Sequence, residues 1–493
     1  MTAALARVET WRLLRHPFVL VGLVLSCWLL WREITANRPV LHFLDLATPT
    51  ALMPLAGAAL VAANLATLRA RRDHAEDLYA TMPGRPVPRV AAHLAALLPV
   101  ALVAVALVAA GVAWAASDPY AVGTPSLLEL AAGPVVVLLA GTLGVALGRL
   151  VPVPVAGPLA LVGWLLVSMV VFAIGPAIGP GVLWFSALVP DFRPDAPPSG
   201  VVLARPAGWH LVYLLALAAG LAALTVARVG ARRSGLGGFA VALAVVLAAG
   251  VAQAGAAPGS AAGDARVATA EAALRQNCQA HESVTYCAYP GFEVRVPLWR
   301  DVVRRVRDRV PAAAASAPLR VVQQAQHWDA ASSGATGRLP SNGPEDPVVV
   351  PVSWPAGDTA GFERLRLGIA VAQRSLALPA LGTAGREGCR PAAGGGVALW
   401  LAAVADPGAA AALRADLKDL RDAGPGLLYV NSSHSSLSDF TWGRAEGEQA
   451  VLLLDRPEAE VRGLVADHWA LLAAPAGTLA QAATALSLPA PAC

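Results

Sequence analysis

The sequence predicts an α-helical polytopic membrane protein of about seven transmembrane helices followed by an α+β extracytoplasmic domain. Seven long apolar stretches fill the first half of the 493 residues, and the second half has the mixed composition of a water-soluble domain. Most stretches reach the roughly 18 to 25 residues that cross a hydrocarbon core of about 30 Å. They cover residues 13–31, 47–68, 90–116, 130–147, 150–174, 209–227 and 236–257.

The overall composition agrees with this fold class. Hydrophobic residues make up 56% of the chain and charged residues only 14%, whereas soluble domains usually contain about 25% charged residues. The formal net charge is +4, but the arginines lie mostly in short segments beside the apolar stretches. This placement is typical of a topology signal, so we expect a lipid membrane and no nucleic acid as a partner.

The arginine distribution predicts a cytoplasmic amino terminus. With this orientation the inside segments hold twelve arginines and the outside loops hold four, which is the expected bias. Seven crossings then place the carboxy-terminal domain outside the cell. The excess of arginine over a single lysine, Lys418, indicates a GC-rich bacterial source, so we expect a multi-pass protein of a bacterial cell membrane.

The cysteines support an extracytoplasmic second half. Cys27 lies in the first stretch, whereas Cys278, Cys287, Cys389 and Cys493 all follow the last one. An even number of cysteines in an oxidising compartment predicts two disulfides with three connectivities. We favour Cys278 with Cys287 and Cys389 with Cys493, and free buried thiols are the alternative. We expect no metal, because no C-x-x-C pair accompanies these cysteines.

Motifs for autonomous ATP use or hydrolysis are missing from the sequence. A phosphate-binding loop needs a lysine after a glycine, and Lys418 instead follows Asp416 and Leu417. The H-E-x-x-H and G-x-S-x-G patterns of zinc peptidases and α/β-hydrolases are also missing. We therefore expect no enzyme and no cofactor in this chain, and any ATP to be bound by a partner subunit.

Residues 69–89, between the second and third stretches, form the most distinctive loop. Its charge and spacing predict a helix as far as Thr81, which Pro83 then ends. Such a helix is suited to insertion into a groove on a soluble partner, and a topogenic charge run followed by a turn is the alternative. The acidic and apolar positions of this segment are Asp73, Glu76, Asp77, Leu78 and Tyr79.

The chain here resembles the permease subunits of type 2 ABC transporters. The resemblance rests on the segment from Val8 to Pro17 and on the pattern Arg71-Arg72-Asp73, Glu76-Asp77-Leu78, Pro83 and Arg89, and it covers roughly residues 1–230. It implies an interfacial amino-terminal helix, a coupling helix that docks on a separate ABC ATPase subunit, and a homodimer or heterodimer of permeases. The positions to which it assigns ATPase coupling are Arg71, Arg72, Asp73, Glu76, Asp77, Leu78 and Tyr79.

Family permeases typically have six spans, so the seventh span and the outside domain are departures. We expect an amino-terminal interfacial helix over 1–17, a six-span permease-like domain over 18–230, a seventh span over 236–257 and an extracytoplasmic domain over 258–493. The connection 175–208 is either re-entrant or an ordinary outside loop. Asn64 and Ser168 are candidates for a translocation pathway, because polar groups within spans often mark one; packing hydrogen bonds are the alternative.

The sequence of the second half predicts a linker over 255–263, followed by an α+β domain with one core. The patterns predict strands over 319–324 and 347–354, and helices over 297–310, 362–378, 397–405, 409–422, 455–473 and 479–488. Two polar clusters, His327 with Asp329 and Ser332, and the serines around His434, have the residue types of a catalytic triad. Serine-rich runs are usually loops, however, so these clusters do not predict an active site.

The resulting prediction is a permease subunit that moves an apolar or amphipathic cargo. A membrane-anchored receptor or sensor with an extracytoplasmic ligand-binding domain is the main alternative, and an anchored extracytoplasmic hydrolase is the other.

Overall fold

The computed structural model describes residues 2–36, 38–75, 87–178, 206–256, 275–323, 347–350, 354, 360–378, 392–423, 427–429 and 441–490. The chain divides into two compact units, the first built mainly from residues before 273 and the second mainly from residues 273 onward.

The described part of the first unit consists of helices and the short connections between them, with one isolated β-bridge between Val40 and Val122. Its helices are α1 (Thr2–Leu14), α2 (Pro17–Ala36), α3 (Leu41–Ala51), α4 (Met53–Arg72), α5 (Val87–Ala95), α6 (Leu97–Ala116), α7 (Leu127–Leu150), α8 (Ala156–Ile178), α9 (Ala207–Arg228) and α10 (Arg232–Gly255).

Six segments in the described part of the chain are long and apolar enough to cross a membrane. They are Pro17–Thr35, Met53–Arg72, Val87–Ala116, Leu127–Leu150, Ala207–Arg228 and Arg232–Gly255. The predicted fifth stretch, 150–174, corresponds to α8 (Ala156–Ile178), which is not among these six. A seventh crossing therefore stays a prediction.

Prolines explain where two helix boundaries differ from the predicted stretches. The stretch 13–31 is divided, because α1 ends at Leu14 and α2 begins at Pro17. The stretch 47–68 is divided as well, since α3 ends at Ala51 and α4 starts at Met53 with Pro54 in its first turn. Proline is favoured in the first turn because its missing N–H group has no helical acceptor there. The predicted amino-terminal helix over 1–17 therefore appears as the separate helix α1.

Helices α7 and α4 are the most enclosed of the six long apolar segments, and glycines of α7 allow the two helices to pack closely. A Cβ atom at Gly144 would lie only 2.1 Å from the carbonyl oxygen of Leu60 on α4. Only glycine allows the two backbones to approach so closely, as at many crossings of membrane helices. Farther along the chain, α9 and α10 are joined by a contact of 3.2 Å between His210 Nδ1 and Gln253 Oε1.

The second unit combines helices with a small sheet. Its strands are β1 (Asn277–His281), β2 (Val284–Ala288), β3 (Leu319–Gln323), β4 (Val348–Val350), β5 (Leu427–Tyr429) and β6 (Thr441–Gly443). The helices that follow residue 295 are α11 (Val296–Arg307), α12 (Ala312–Ser316), α13 (Ala360–Ser375), α14 (Gly395–Val404), α15 (Pro407–Ala423), α16 (Arg444–Leu454), α17 (Glu458–Asp467), α18 (Trp469–Leu472) and α19 (Leu479–Ala485).

Strands β1 to β4 form one sheet in the order of the chain. Strand β1 is antiparallel to β2, whereas β2, β3 and β4 are parallel. Strands β5 and β6 form a separate antiparallel pair. The predicted strands over 319–324 and 347–354 match β3 and β4, although β4 is shorter in the described residues. The sequence patterns did not predict β1, β2, β5, β6, α12 or α16. The predicted helix over 455–473 is interrupted at His468 between α17 and α18.

The core of the second unit forms around α14. All residues of Gly395–Ala403 are buried, among them Trp400. Trp299 on α11 belongs to the same core cluster, together with Val302 and Val306. A helix that is apolar on every side is expected to be enclosed on every side, and α14 is so enclosed.

Candidate functional site

Asn64 on α4 lies at a crossing lined by glycines. The residue is 0% exposed. An ideal Cβ at Gly157 of α8 would lie 3.0 Å from Asn64 Oδ1, and one at Gly144 of α7 would lie 3.1 Å from the backbone nitrogen of Asn64. A Cβ at Gly148 would lie 3.2 Å from the carbonyl oxygen of Asn64. Asn64 is thus held between two other helices at positions where neither carries a side chain.

The amide of Asn64 has no hydrogen-bond partner within the described part of the chain. Neither Oδ1 nor Nδ2 is paired there, so the packing hydrogen bonds that were the alternative for this residue are not observed. Burying an unpaired amide costs about 1 to 3 kcal/mol by mutational measures. The side chain can accept a hydrogen bond at Oδ1 and donate two from Nδ2, which makes it a chemically competent contact for a polar group.

Ser168, the second pathway candidate, is also buried but lies apart from Asn64. It is on α8, eleven residues after Gly157. Eleven residues correspond to about 16 Å along a helix, and Gly157 is the point of α8 that touches Asn64. The structure therefore does not bring Asn64 and Ser168 into one site.

The predicted coupling segment begins differently from the expected helix. Arg71 and Arg72 belong to the last turn of α4, and Asp73 follows as its C-cap residue. His74 then adopts a φ of 53°, a left-handed conformation that interrupts a helix. The prediction of one continuous helix from Arg69 to Thr81 is therefore wrong over its first residues, because α4 ends at Arg72. The remaining coupling candidates, Glu76, Asp77, Leu78 and Tyr79, lie outside the described residues.

A buried carboxylate that the sequence patterns did not identify lies next to the end of α4. Glu9 on α1 is buried, and both of its carboxylate oxygens lie 3.4 Å from Nη1 of Arg69. Arg12 donates to Glu9 Oε1 at 3.1 Å. Glu9 therefore joins α1 to α4 near the first coupling candidates. The signal that could have revealed it is a single acid in an otherwise apolar and basic segment.

One of the predicted disulfides is present. Cys278 on β1 is bonded to Cys287 on β2, and the two residues are directly opposite each other in the strand register. Cys389 and Cys493 lie outside the described residues, so their pairing stays a prediction. Cys27 on α2 is free and exposed.

Tyr286 on β2 is a buried titratable residue of the second unit. Burial raises the pKa of Tyr286 on β2 to about 12, against the opposing charge of Arg307, so its hydroxyl stays protonated at neutral pH. The polar clusters around His327 and His434 fall outside the described residues. Among the residues that are described, no group of three or more His, Cys, Asp or Glu side chains is placed to hold a metal ion.

Comparison with known proteins adds no relative. No family model, no curated protein and no solved structure matches the chain.

Proposed function

We propose that this chain is the permease subunit of a type 2 ABC transporter, driven by a separate ATPase subunit and moving an apolar or amphipathic cargo. In this proposal the chain forms a homodimer or heterodimer of permeases in a bacterial cell membrane. Its amino terminus is cytoplasmic and its second unit is extracytoplasmic. The six long apolar helices support the membrane placement, and the motifs at residues 8–17 and 71–89 support the family.

The unpaired amide of Asn64 is the observation that favours a transport function over a signalling function. A membrane anchor needs no unpaired polar group between its helices, since such a group lowers stability. A transporter does need one if part of its cargo is polar. Asn64 is also surrounded by glycines, so small shifts of α7 or α8 can open space beside the amide without moving any side chain.

Helix α4 also supplies a physical connection between the cargo contact and the ATPase. Asn64 and Arg72 are eight residues apart on this one helix, which is about 12 Å. The coupling candidates begin at Arg71 and continue beyond the helix end. A force applied to this segment by an ATPase would therefore reach the crossing at Asn64 through a continuous helix. The same movement of α4 would reach α1 through the contact between Arg69 and Glu9.

The coupling role is tested by changing the segment beyond α4. We expect the combined substitutions Glu76→Arg, Asp77→Arg, Leu78→Ala and Tyr79→Ala to abolish co-purification of the ATPase and its stimulated ATP hydrolysis in nanodiscs. Leu78 and Tyr79 would be the buried anchors, worth on the order of 2 kcal/mol or more of docking if they are interface hot spots. The acidic pair would act mainly on the encounter rate and its salt dependence.

A charge-matched control for this test is Asp308→Arg with Asp467→Arg, two exposed acids of the second unit. This control should leave docking and hydrolysis unchanged. Wild-type docking and hydrolysis by the quadruple variant would show that residues 69–89 are only a topogenic charge run, and would favour the receptor alternative.

The role of Asn64 is tested by an apolar residue of similar size. Asn64→Leu removes the unpaired amide, so we expect the protein to become more stable by about 1 kcal/mol. We expect the same variant to lose ATP-dependent transport of an amphipathic dye such as rhodamine 6G. The control is Thr225→Val on α9, where the buried hydroxyl already donates to Leu221 O at 2.7 Å and whose loss should not raise stability. A destabilised Asn64→Leu variant with normal transport would contradict the proposed role.

A further inference from the structure

Helix α1 has a fixed rotational orientation. Glu9 points inward to Arg69, and Leu13 belongs to the hydrophobic core of the first unit. These two residues are one helical turn apart, so they lie on the same face of the helix. One face of α1 is therefore held against α4 and its neighbours, and the opposite face is defined by the same contacts.

The opposite face is basic and aromatic. Its exposed side chains include Arg7, Val8, Trp11 and Arg12, and the exposed Arg15 follows directly after the helix end at the same spacing; we call these five residues the arginine–tryptophan face. Trp11 is 56% exposed, and the guanidinium of Arg15 lies 4.1 Å from the centroid of its ring. Glu9 is the only acidic residue of α1, and it is buried on the other side.

The arginine–tryptophan face also lies close in the chain to an apolar helix. Only Arg15 and His16 separate the end of α1 from the start of α2 at Pro17. If α2 spans the membrane, α1 is tethered at the level of the lipid headgroups. Tryptophan is enriched at this level, and arginine can place its apolar stem in the acyl region and its charged end among the phosphates.

We propose that the arginine–tryptophan face of α1 binds the phosphate groups of anionic lipid headgroups. The guanidinium group presents several N–H donors in a planar fork that matches two oxygens of a phosphate. Arg12 already donates to Glu9, so Arg7 and Arg15 contribute most of the free charge. Val8 and Trp11 give the face an apolar contact that dissolved phosphate cannot use, which favours a lipid over a free anion.

This inference depends on the proposed membrane placement and not on the ATPase. Basic residues near an anionic membrane contribute about 1 kcal/mol each, which converts to about a fivefold change in binding for each arginine removed. Phosphatidylcholine carries no net charge, so it should bind this face more weakly than phosphatidylglycerol does.

Native mass spectrometry of the full-length chain in detergent tests the proposal. The protein is titrated with dioleoyl phosphatidylglycerol, dioleoyl phosphatidylcholine or inorganic phosphate, and the dissociation constant of the first bound molecule is measured. Arg7→Gln with Arg15→Gln should weaken phosphatidylglycerol binding by on the order of 25-fold and leave phosphatidylcholine binding unchanged. Inorganic phosphate should neither bind tightly nor displace the lipid.

The matched control is Arg232→Gln with Arg233→Gln, two exposed arginines at the start of α10. This variant removes the same charge from another helix end. It should therefore bind the first phosphatidylglycerol molecule as tightly as the wild type does. Equal losses in both variants would show that only net charge matters and would overturn the proposal. Unchanged lipid binding by Arg7→Gln with Arg15→Gln, combined with loss of ATPase co-purification, would instead assign the face to a protein partner. Both variants replace exposed side chains, so their melting temperatures should match the wild type and exclude misfolding as the cause.

Discussion

The two units of the chain place their large apolar side chains in opposite ways. In the first unit many of them point outward, including Trp28, Trp31, Leu102 and Val251, whereas in the described part of the second unit only Val294 and Leu452 do so. The second unit encloses even α14, a ten-residue helix that is apolar on every side. Both units contain helices of similar apolar character, so composition alone does not decide which residues form a core.

The difference shows what each unit needs from its surroundings. The second unit satisfies the hydrophobic effect internally, with Trp400 and Trp299 at its centre. The first unit leaves a broad apolar surface exposed, and contact of this surface with water would be unfavourable. Lipid is the environment that suits such a surface. Many of the buried positions of α4 and α7 are glycines and alanines, which allow helices to pack closely.

The largest expected effect compares a tryptophan from each unit. Trp400→Ala should destabilise the second unit by about 3 to 5 kcal/mol, because the side chain is fully enclosed and leaves a cavity. Trp28→Ala should change the stability of the first unit by about 0.5 kcal/mol or less, since that side chain is 49% exposed. Hydrogen exchange of the full chain in nanodiscs, resolved by peptide, measures both. A large effect at Trp28 would mean that another protein chain, rather than lipid, covers this surface.

The second unit has a disulfide that links its exposed strand β1 to β2, so its removal should affect the second unit and not the first. Strand β1 has mostly exposed side chains and adjoins the sheet only through β2. Cys278→Ser with Cys287→Ser should lower stability by about 2 to 3 kcal/mol, as expected for a crosslink between residues nine positions apart. Exchange of β1 should speed up most, and exchange of α4 should not change. Peptide mapping without reduction should find this disulfide in the wild type, and an alkylatable thiol at either position would contradict it.

Glycines test whether the first unit depends on close backbone contact. Gly144→Ala should destabilise the crossing of α4 and α7 by about 1 to 3 kcal/mol, because its Cβ would lie 2.1 Å from the carbonyl oxygen of Leu60. The matched control is Gly163→Ala on α8, where nothing lies within 4 Å of the added carbon. The control should be neutral or slightly stabilising because alanine favours helix. Thermal unfolding in detergent measures both, and equal effects would show that the crossing is looser than described.

The smallest effect is electrostatic and confined to the second unit. Burial works to raise the pKa of Glu458, but hydrogen bonds and charge from Arg462 and Arg309 outweigh it and hold the pKa below its ordinary value. The unfolded chain therefore takes up the proton first as the pH falls. The stabilisation is present above about pH 4.3, the ordinary value for glutamate, and is lost on acidification through the lower folded pKa. Glu458→Gln should reduce stability at pH 7 and flatten this acid dependence in urea titrations; parallel pH profiles for the two proteins would contradict the assignment.

Most helices could be predicted from the sequence because apolar length and periodicity are local properties. Helix α11 and strands β3 and β4 followed from the same patterns. Strand β1 could not be predicted, since Asn277 and Gln279 are exposed and the strand lacks alternating apolar residues. The late start of α8 at Ala156 was missed despite a visible cause, because Pro152 and Pro154 precede it.

The candidate site was only partly predictable for a related reason. Asn64 stood out as a polar residue in an apolar stretch, but its glycine neighbours come from 80 to 93 positions later in the chain. The pairing of Glu9 with Arg69 joins residues 60 positions apart. Contacts of this kind depend on how helices cross, and no local pattern encodes the crossing.

The pairing of Glu9 with Arg69 also imposes an order on biosynthesis. Helix α1 leaves the ribosome before α4 does, and the guanidinium that orients it follows Glu9 by 60 residues. Until α4 has been made, the carboxylate of Glu9 has no arginine from that helix to neutralise it. Helix α1 can therefore dock in its final orientation only after the first two apolar segments have been synthesised, and a nascent chain arrested before Arg69 should expose α1 to protease.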